Sequence, residues 1–123
     1  MKTLIKNGLV IDPMNHVQSR LNLLLADGKV AAVTSGEPEA DQVVDATGKI
    51  VTPGFIDIHM HEDPVGPDGK LVKTEDTAIF NCMLRMGVTT AIGGQCGLNQ
   101  YDPGDYLDLI DRDGAAVNVG MLA

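Results

Sequence analysis

Two of the chain's three histidines stand one residue apart, in Phe55-Ile56-Asp57-Ile58-His59-Met60-His61. Side chains alternate faces along a strand, so in extended backbone Phe55, Asp57, His59 and His61 share one face and Ile56, Ile58 and Met60 the other. Two imidazoles at i and i+2 can reach one ion, and neutral imidazole is a common ligand for Zn²⁺. Asp57, two residues further in, can orient an imidazole or pack below it. By itself a His-x-His pair is also what two satisfied strand histidines look like. The elements around it therefore decide the chemistry. His16, in the polar Asn15-His16 stretch, reads as a surface residue.

Up to Pro53 the sequence reads as β. Thr3 to Ile5 and Leu9 to Ile11 flank Asn7-Gly8, and Leu21 to Ala26 and Lys29 to Val33 flank Asp27-Gly28. Both dipeptides tolerate positive φ and predict hairpins. A third pair, Gln42 to Asp45 and Lys49 to Thr52, flanks Ala46-Thr47-Gly48, and polar Ser35 to Asp41 is a loop. After Pro53-Gly54 the pattern changes to βαβαβ. Parallel strands are expected near 55–60, 88–92 and 116–122, with helices near 75–86 and 103–112. Thr74 is the expected cap of the first helix, which opens with Glu75 and Asp76. Ile79, Met83 and Met86 give it helical spacing, and Gly87 stops it. Asp102 caps the second, Pro103 takes its first position, and Tyr106, Leu107 and Ile110 form its apolar face. Such an order implies helices packed outside parallel strands. The expected architecture is thus composite. Residues 1–53 form a small antiparallel β-sandwich portion. Residues 54–123 form the first units of an incomplete TIM-type (β/α)8 barrel, which needs about 250 residues in all. In a barrel the polar face of 55–61 points into the lumen, with both histidines at the mouth, where active sites sit.

Composition narrows the partners. Nine basic residues against seventeen acidic ones give a net charge of -8, which repels phosphate backbones and argues against nucleic acid. No basic amphipathic or long apolar run suits a membrane, and no leader-length apolar run opens the chain, so a cytoplasmic location is expected. An apolar fraction of 44% with only 3% aromatics means a core of Leu, Ile, Val, Met and Ala. Two cysteines, Cys82 and Cys96, make no disulfide framework and read as free thiols or metal ligands. Cys82, among apolar helix neighbours, is expected to be a buried inert thiol. Glu62 and Asp63 read as a solvated loop.

Pro53-Gly54-Phe55-Ile56-Asp57-Ile58-His59-Met60-His61 resembles the strand-one signature of the amidohydrolase superfamily. Leu4-Ile5-Lys6-Asn7-Gly8-Leu9-Val10-Ile11-Asp12 and Asp27-Gly28-Lys29-Val30 are similar to the β-sandwich portion in front of the barrel in those enzymes. The resemblance implies a metal-dependent hydrolase in which one or two divalent ions, Zn²⁺ by preference, are held in part by His59 and His61. It also implies that this chain is the N-terminal part of such an enzyme, and that the proton-shuttling acid belongs to a last barrel strand beyond residue 123. The barrel would then need the remainder of its own chain, or other copies, to complete it. The 123 residues alone, assayed with Zn²⁺ against N-acyl amino acids and hydantoins, are expected to show no turnover above a metal-only control.

Gly87-Val88-Thr89-Thr90-Ala91-Ile92-Gly93-Gly94-Gln95-Cys96-Gly97 is similar to the second-strand region of D-aminoacylases, which deacylate N-acyl-D-amino acids. In that branch a cysteine of this loop ligates the metal, which implies a third ligand, Cys96. Three positions depart from the branch: Gln95 stands for Asn, Met60 for Thr, and Glu62-Asp63 for two aspartates. The expected substrate is a small-molecule amide. The alternatives are a dihydroorotase- or hydantoinase-like cyclic amidase, which uses a carboxylated lysine from a later strand, a deaminase of the same superfamily, or a non-catalytic truncated module.

Overall fold

The computed structural model describes residues 1–73 and 78–123. The chain forms two compact units, Met1–Pro53 and Gly54–Ala123. The expected Thr74 cap with Glu75 and Asp76 lies outside the described residues.

The first unit is one five-stranded sheet of β1 (Lys2–Asp12), β2 (Val17–Ala26), β3 (Lys29–Thr34), β4 (Gln42–Asp45) and β5 (Ile50–Val51). Its order is β3-β2-β1-β4, with β5 also pairing β1. Leu4, Val10 and Leu23 are its buried apolar residues on β1 and β2. The Asp27-Gly28 hairpin forms as expected, with φ of 51° and 72° and Ala26 opposite Lys29.

Asn7-Gly8 does not form a hairpin. β1 runs straight through it, and three steps on β1 (Ile5 to Gly8) face two on β2 (Leu23 to Leu21), which is a one-residue bulge. A type I′ turn needs positive φ at both central residues, and of this pair only Asn7 has it, at 68°. The amide that the bulge removes from the ladder donates from Asn7 N to Asn22 Oδ1 at 3.0 Å. Asn22, 7% exposed, donates in turn to Gly36 O at 2.8 Å. This buried side chain makes the bulge affordable by leaving no orphan donor. Gly8 is glycine for a different reason: a Cβ there would stand 2.6 Å from Val51 Cγ2. The chain reverses later, at residues 13–16, where His16 is exposed with φ 54°.

The third expected hairpin also differs. β4 and β5 do not pair with each other; both lie parallel to β1. Ala46 N donates to Lys6 O at 2.8 Å, Lys49 N to Ala46 O at 2.9 Å, and Leu9 N to Lys49 O at 2.9 Å. The Ala46–Gly48 turn therefore steps the chain along β1 rather than reversing it. The sheet is mixed, not purely antiparallel, and it is the one sheet of the first unit.

The second unit holds a parallel sheet of order β6-β7-β8: β6 (Phe55–Met60), β7 (Val88–Gly93) and β8 (Asn118–Met121). Helix α1 (Ile79–Arg85) packs on β7 and α2 (Pro103–Asp113) on β8. The βαβαβ order and the parallel pairing are those expected. The core gathers Met60, Phe80, Met83, Ala91, Tyr106 and Ile110. α2 begins as read: Asp102 accepts from Gly104 N at 2.9 Å and Asp105 N at 3.2 Å, with Pro103 at its first position. α1 begins differently. Its N-cap residue, Ala78, offers no side-chain acceptor. The Asp63 carboxylate, distant in sequence, accepts from Ile79 N and also from Phe80 N. A carboxylate at the positive end of a helix meets both its orphan donors and its dipole.

The expected burial of Cys82 is corrected, and one face of β6 stands open. Ile56 and Ile58 are 66% and 64% exposed, because β6 is an edge strand and α1 covers β7. Only Met60, at the far end of that face, reaches the core. Cys82 is exposed: α1 buries Phe80 and Met83, and residue 82 lies about 200° around the helix from Phe80.

At the end of α2, Asp113 accepts from Arg112 Nε at 2.7 Å, Arg112 Nη2 at 3.0 Å and Leu71 N at 3.1 Å. The Arg112 hydrogen bonds, then the Leu71 amide, hold its pKa down to about 2. The unfolded value is about 3.9. A depressed folded pKa means that the unfolded chain takes up protons first as pH falls. The contribution is present above about pH 4 and is lost towards pH 2. Asp113→Asn is therefore expected to flatten the fall in melting temperature between about pH 4 and 2, followed by circular dichroism. An unchanged slope would contradict it.

Candidate metal centre

His59 sits near the end of β6, and the strand is irregular there. Asp57 pairs with Ala91 and Met60 with Gly93, so three steps on β6 face two on β7. Bulges beside sites re-aim side chains and leave an amide out of the ladder. Here Asp57 Oδ1 accepts from His59 N at 2.9 Å. The sequence leaves Asp57 either on an imidazole or lower in the sheet; it is instead bonded to the histidine's own backbone. The bulge leaves that amide free two residues away, within reach of a short carboxylate. Asp57 thus fixes where the His59 backbone lies, and through it the ring.

Cys96 is carried by the loop after β7. Gly94 O accepts from Gly97 N at 3.0 Å, so Gln95 and Cys96 are the central residues of a β-turn. Gly94 has φ 90°, and a Cβ on it would stand 2.5 Å from Leu122 O. No other residue fits there without a shift of backbone. The turn is tied to the end of β8 by Leu122 N donating to Gly93 O at 3.0 Å.

Together the bulge and the turn bring three donors into one place. His59 Nε2 lies 2.8 Å from Cys96 Sγ. The His59 and His61 rings are 5.9 Å apart between centroids, tilted by 52°. One ligand atom from each of His59, His61 and Cys96 falls within 4.8 Å of the others. Donors about 2.0–2.3 Å from a tetrahedral ion stand roughly 3.3–3.8 Å from each other, so no pair needs to close by more than about 1.5 Å. All three side chains are exposed, and such movement is a small rotamer adjustment. Two imidazoles and a thiol suit Zn²⁺ by softness and number. Three donors of these types are also the number that catalytic zinc sites draw from the protein, against four in structural ones.

Glu62 and Asp63, read from the sequence as a solvated loop, are 5% and 3% exposed. Asp63 is spent on α1. Burial, the larger influence, raises its pKa, and the Ile79 and Phe80 amides pull it back. Glu62 Oε1 accepts from Gln100 N at 3.1 Å. Behind them, Tyr106 Oη accepts from Asp63 N at 2.8 Å, and Tyr101 stacks on Tyr106 at 5.7 Å. Neither acid carries a sequence signal of burial, since their partners are backbone amides far along the chain.

The Amidohydrolase family matches residues 42–114. A dihydroorotase of Aquifex aeolicus (strain VF5) is 34% identical over 114 residues, 90% of this chain and 25% of its own. The chain thus spans about a quarter of that relative's length. An N-acyl-D-glutamate deacylase from Bordetella bronchiseptica, solved with zinc and a phosphonate mimic of the tetrahedral intermediate, superposes with a TM-score of 0.77 at 27% identity, over 98% of this chain and 29% of that one. A D-hydantoinase superposes with a TM-score of 0.66 at 26% identity, over 98% of this chain and 26% of its own.

Proposed function

This chain belongs to the amidohydrolase family, and on that premise we propose that His59, His61 and Cys96 hold a divalent metal, zinc by their chemistry, for hydrolysis of a C–N bond in a small-molecule amide. The observation that carries this reading is the convergence of two imidazoles and a thiol within 4.8 Å. A divalent ion held there supplies Lewis acidity, polarising an amide carbonyl and lowering the pKa of water towards neutrality. The protein's own residues do the placing. Asp57 holds the His59 backbone in its bulge. Gly94 permits the turn that presents Cys96. The proton-shuttling acid and the rest of a (β/α)8 barrel are assigned to the complete protein.

Within the family, Cys96 beside the histidine pair supports an N-acyl-D-amino-acid deacylase-like enzyme. A second reading, a cyclic amidase, is favoured by the identity to a dihydroorotase and by the fold shared with a D-hydantoinase. The test is an assay of the complete protein, loaded with zinc, against N-acyl-D-amino acids, their L-enantiomers, dihydroorotate and hydantoins. Turnover of the D-acyl substrates supports the first reading, and turnover confined to cyclic substrates replaces it with the second. Hydrolysis of none of them, with zinc bound, would remove both.

A further inference from the structure

We propose that Glu62 is a positioning residue for the metal cluster: its buried carboxylate fastens the exit of the Cys96 loop to the strand end that carries His61. The inference rests on the reading of His59, His61 and Cys96 as metal ligands and adds to it the device that keeps the cysteine in range. Glu62 directly follows His61, and Gln100 comes four residues after Cys96. The bond from Gln100 N to Glu62 Oε1, 3.1 Å long, spans 38 residues of sequence to join them.

The loop needs such a tie. Its entrance is held where Leu122 N donates to Gly93 O. Between Gly94 and Gln100 the only backbone–backbone bond that closes on the loop itself is Gly97 N to Gly94 O, which shapes the turn but anchors nothing. Gln95, Cys96, Gly97 and Leu98 are all exposed, so none of the described residues packs over them. Side-chain amide Asn99 Nδ2 reaches Leu122 O at 3.2 Å, again back to β8. Apart from the contact between the ligand atoms themselves, His59 Nε2 to Cys96 Sγ, the Glu62 bond is the side-chain tie from this loop to the end of the histidine strand among the described residues. A carboxylate accepting from a backbone amide is among the stronger hydrogen bonds, and burial at 5% exposure strengthens it further. Glu62 is not a member of the ligand cluster. Partners that orient metal ligands typically alter affinity by 10–100-fold when removed.

The test uses the complete protein with Co²⁺ as the probe, since a thiolate ligand gives cobalt a charge-transfer absorption that imidazole does not. Glu62→Met keeps the buried volume and removes the acceptor. Glu62→Gln keeps an acceptor oxygen without the charge. E62M is expected to bind Co²⁺ about 10–100-fold more weakly and to lose most of the thiolate band, while E62Q stays within about 3-fold of wild type. In the metal-free protein, hydrogen exchange at the Gln100 amide should speed up in E62M and not in E62Q. That pattern is not what a general loss of stability would give, since both variants replace the same buried charge. An E62M protein with wild-type affinity, thiolate band and Gln100 exchange overturns the proposal. A wild-type protein that binds cobalt with no thiolate band overturns instead the reading of Cys96 as a ligand.

Discussion

Cys96→Ala in the complete protein is expected to lower zinc affinity by more than about 100-fold, beyond the 10–100-fold typical of losing a ligand's partner. Hydrolysis should fall in proportion to the metal lost. Three protein donors converge, and removal of Cys96 takes away the one thiolate among them, the soft, anionic donor that most favours zinc. The fold should survive. Cys96 is exposed, lies at the centre of a turn whose shape depends on Gly94 and Gly97, and contributes nothing to the core. Cys82→Ala is the matched control. That thiol is exposed on α1, so stability should change by less than about 0.5 kcal/mol, with metal retained. Elemental analysis after dialysis, followed by kcat/KM on N-acyl-D-amino acids, reads both variants. Full occupancy and full rate in the Cys96 variant would take away the main support for the deacylase-like reading and put the cyclic amidase first.

How far the sequence carried depended on whether a signal was local. The parallel strands of the second unit follow from β-branched runs, α2 from its cap and period, and α1 from its period, each read within a few residues. The His59–His61 pair was visible for the same reason, and Cys96 through the loop that resembles the D-aminoacylase branch. What escaped was set by distant partners. Asn7-Gly8 has the local chemistry of a hairpin, yet pairing on both sides of β1 across 11 residues and a buried Asn22 turned it into a bulge. Cys82 has apolar neighbours in sequence, but the phase of α1 is fixed by Phe80 and Met83 facing β7. Asp63 and Glu62 look like solvent-facing acids until α1 and the Cys96 loop fold back onto them. The site itself was legible as a set of donors. The bulge and the buried acids that aim those donors were not, because each exists only once β6, β7 and the loops after them are together.

Tyr106→Ala is expected to cost about 3–5 kcal/mol, the usual range for deleting a large buried aromatic. Tyr106 is 0% exposed and the largest fully buried side chain of the described residues. The stacked partner, Tyr101, would lose its contact. Tyr106→Phe separates packing from hydrogen bonding. It keeps the ring but leaves Asp63 N, which donates to Tyr106 Oη at 2.8 Å, without an acceptor at a residue 3% exposed. A stranded buried donor costs about 1–3 kcal/mol. Hydrogen exchange at the Ala91 and Val119 amides reads the loss within the second unit, since both lie in its central ladder. The two variants should also differ at the metal centre. Asp63 is two residues past His61, so loss of its backbone anchor in Tyr106→Phe should loosen His61 and weaken zinc binding, while the strand amides lose only part of their protection. Should Tyr106→Phe leave Ala91 and Val119 exchange unchanged, the hydroxyl does not anchor the His61 loop, and the cost of Tyr106→Ala is packing alone.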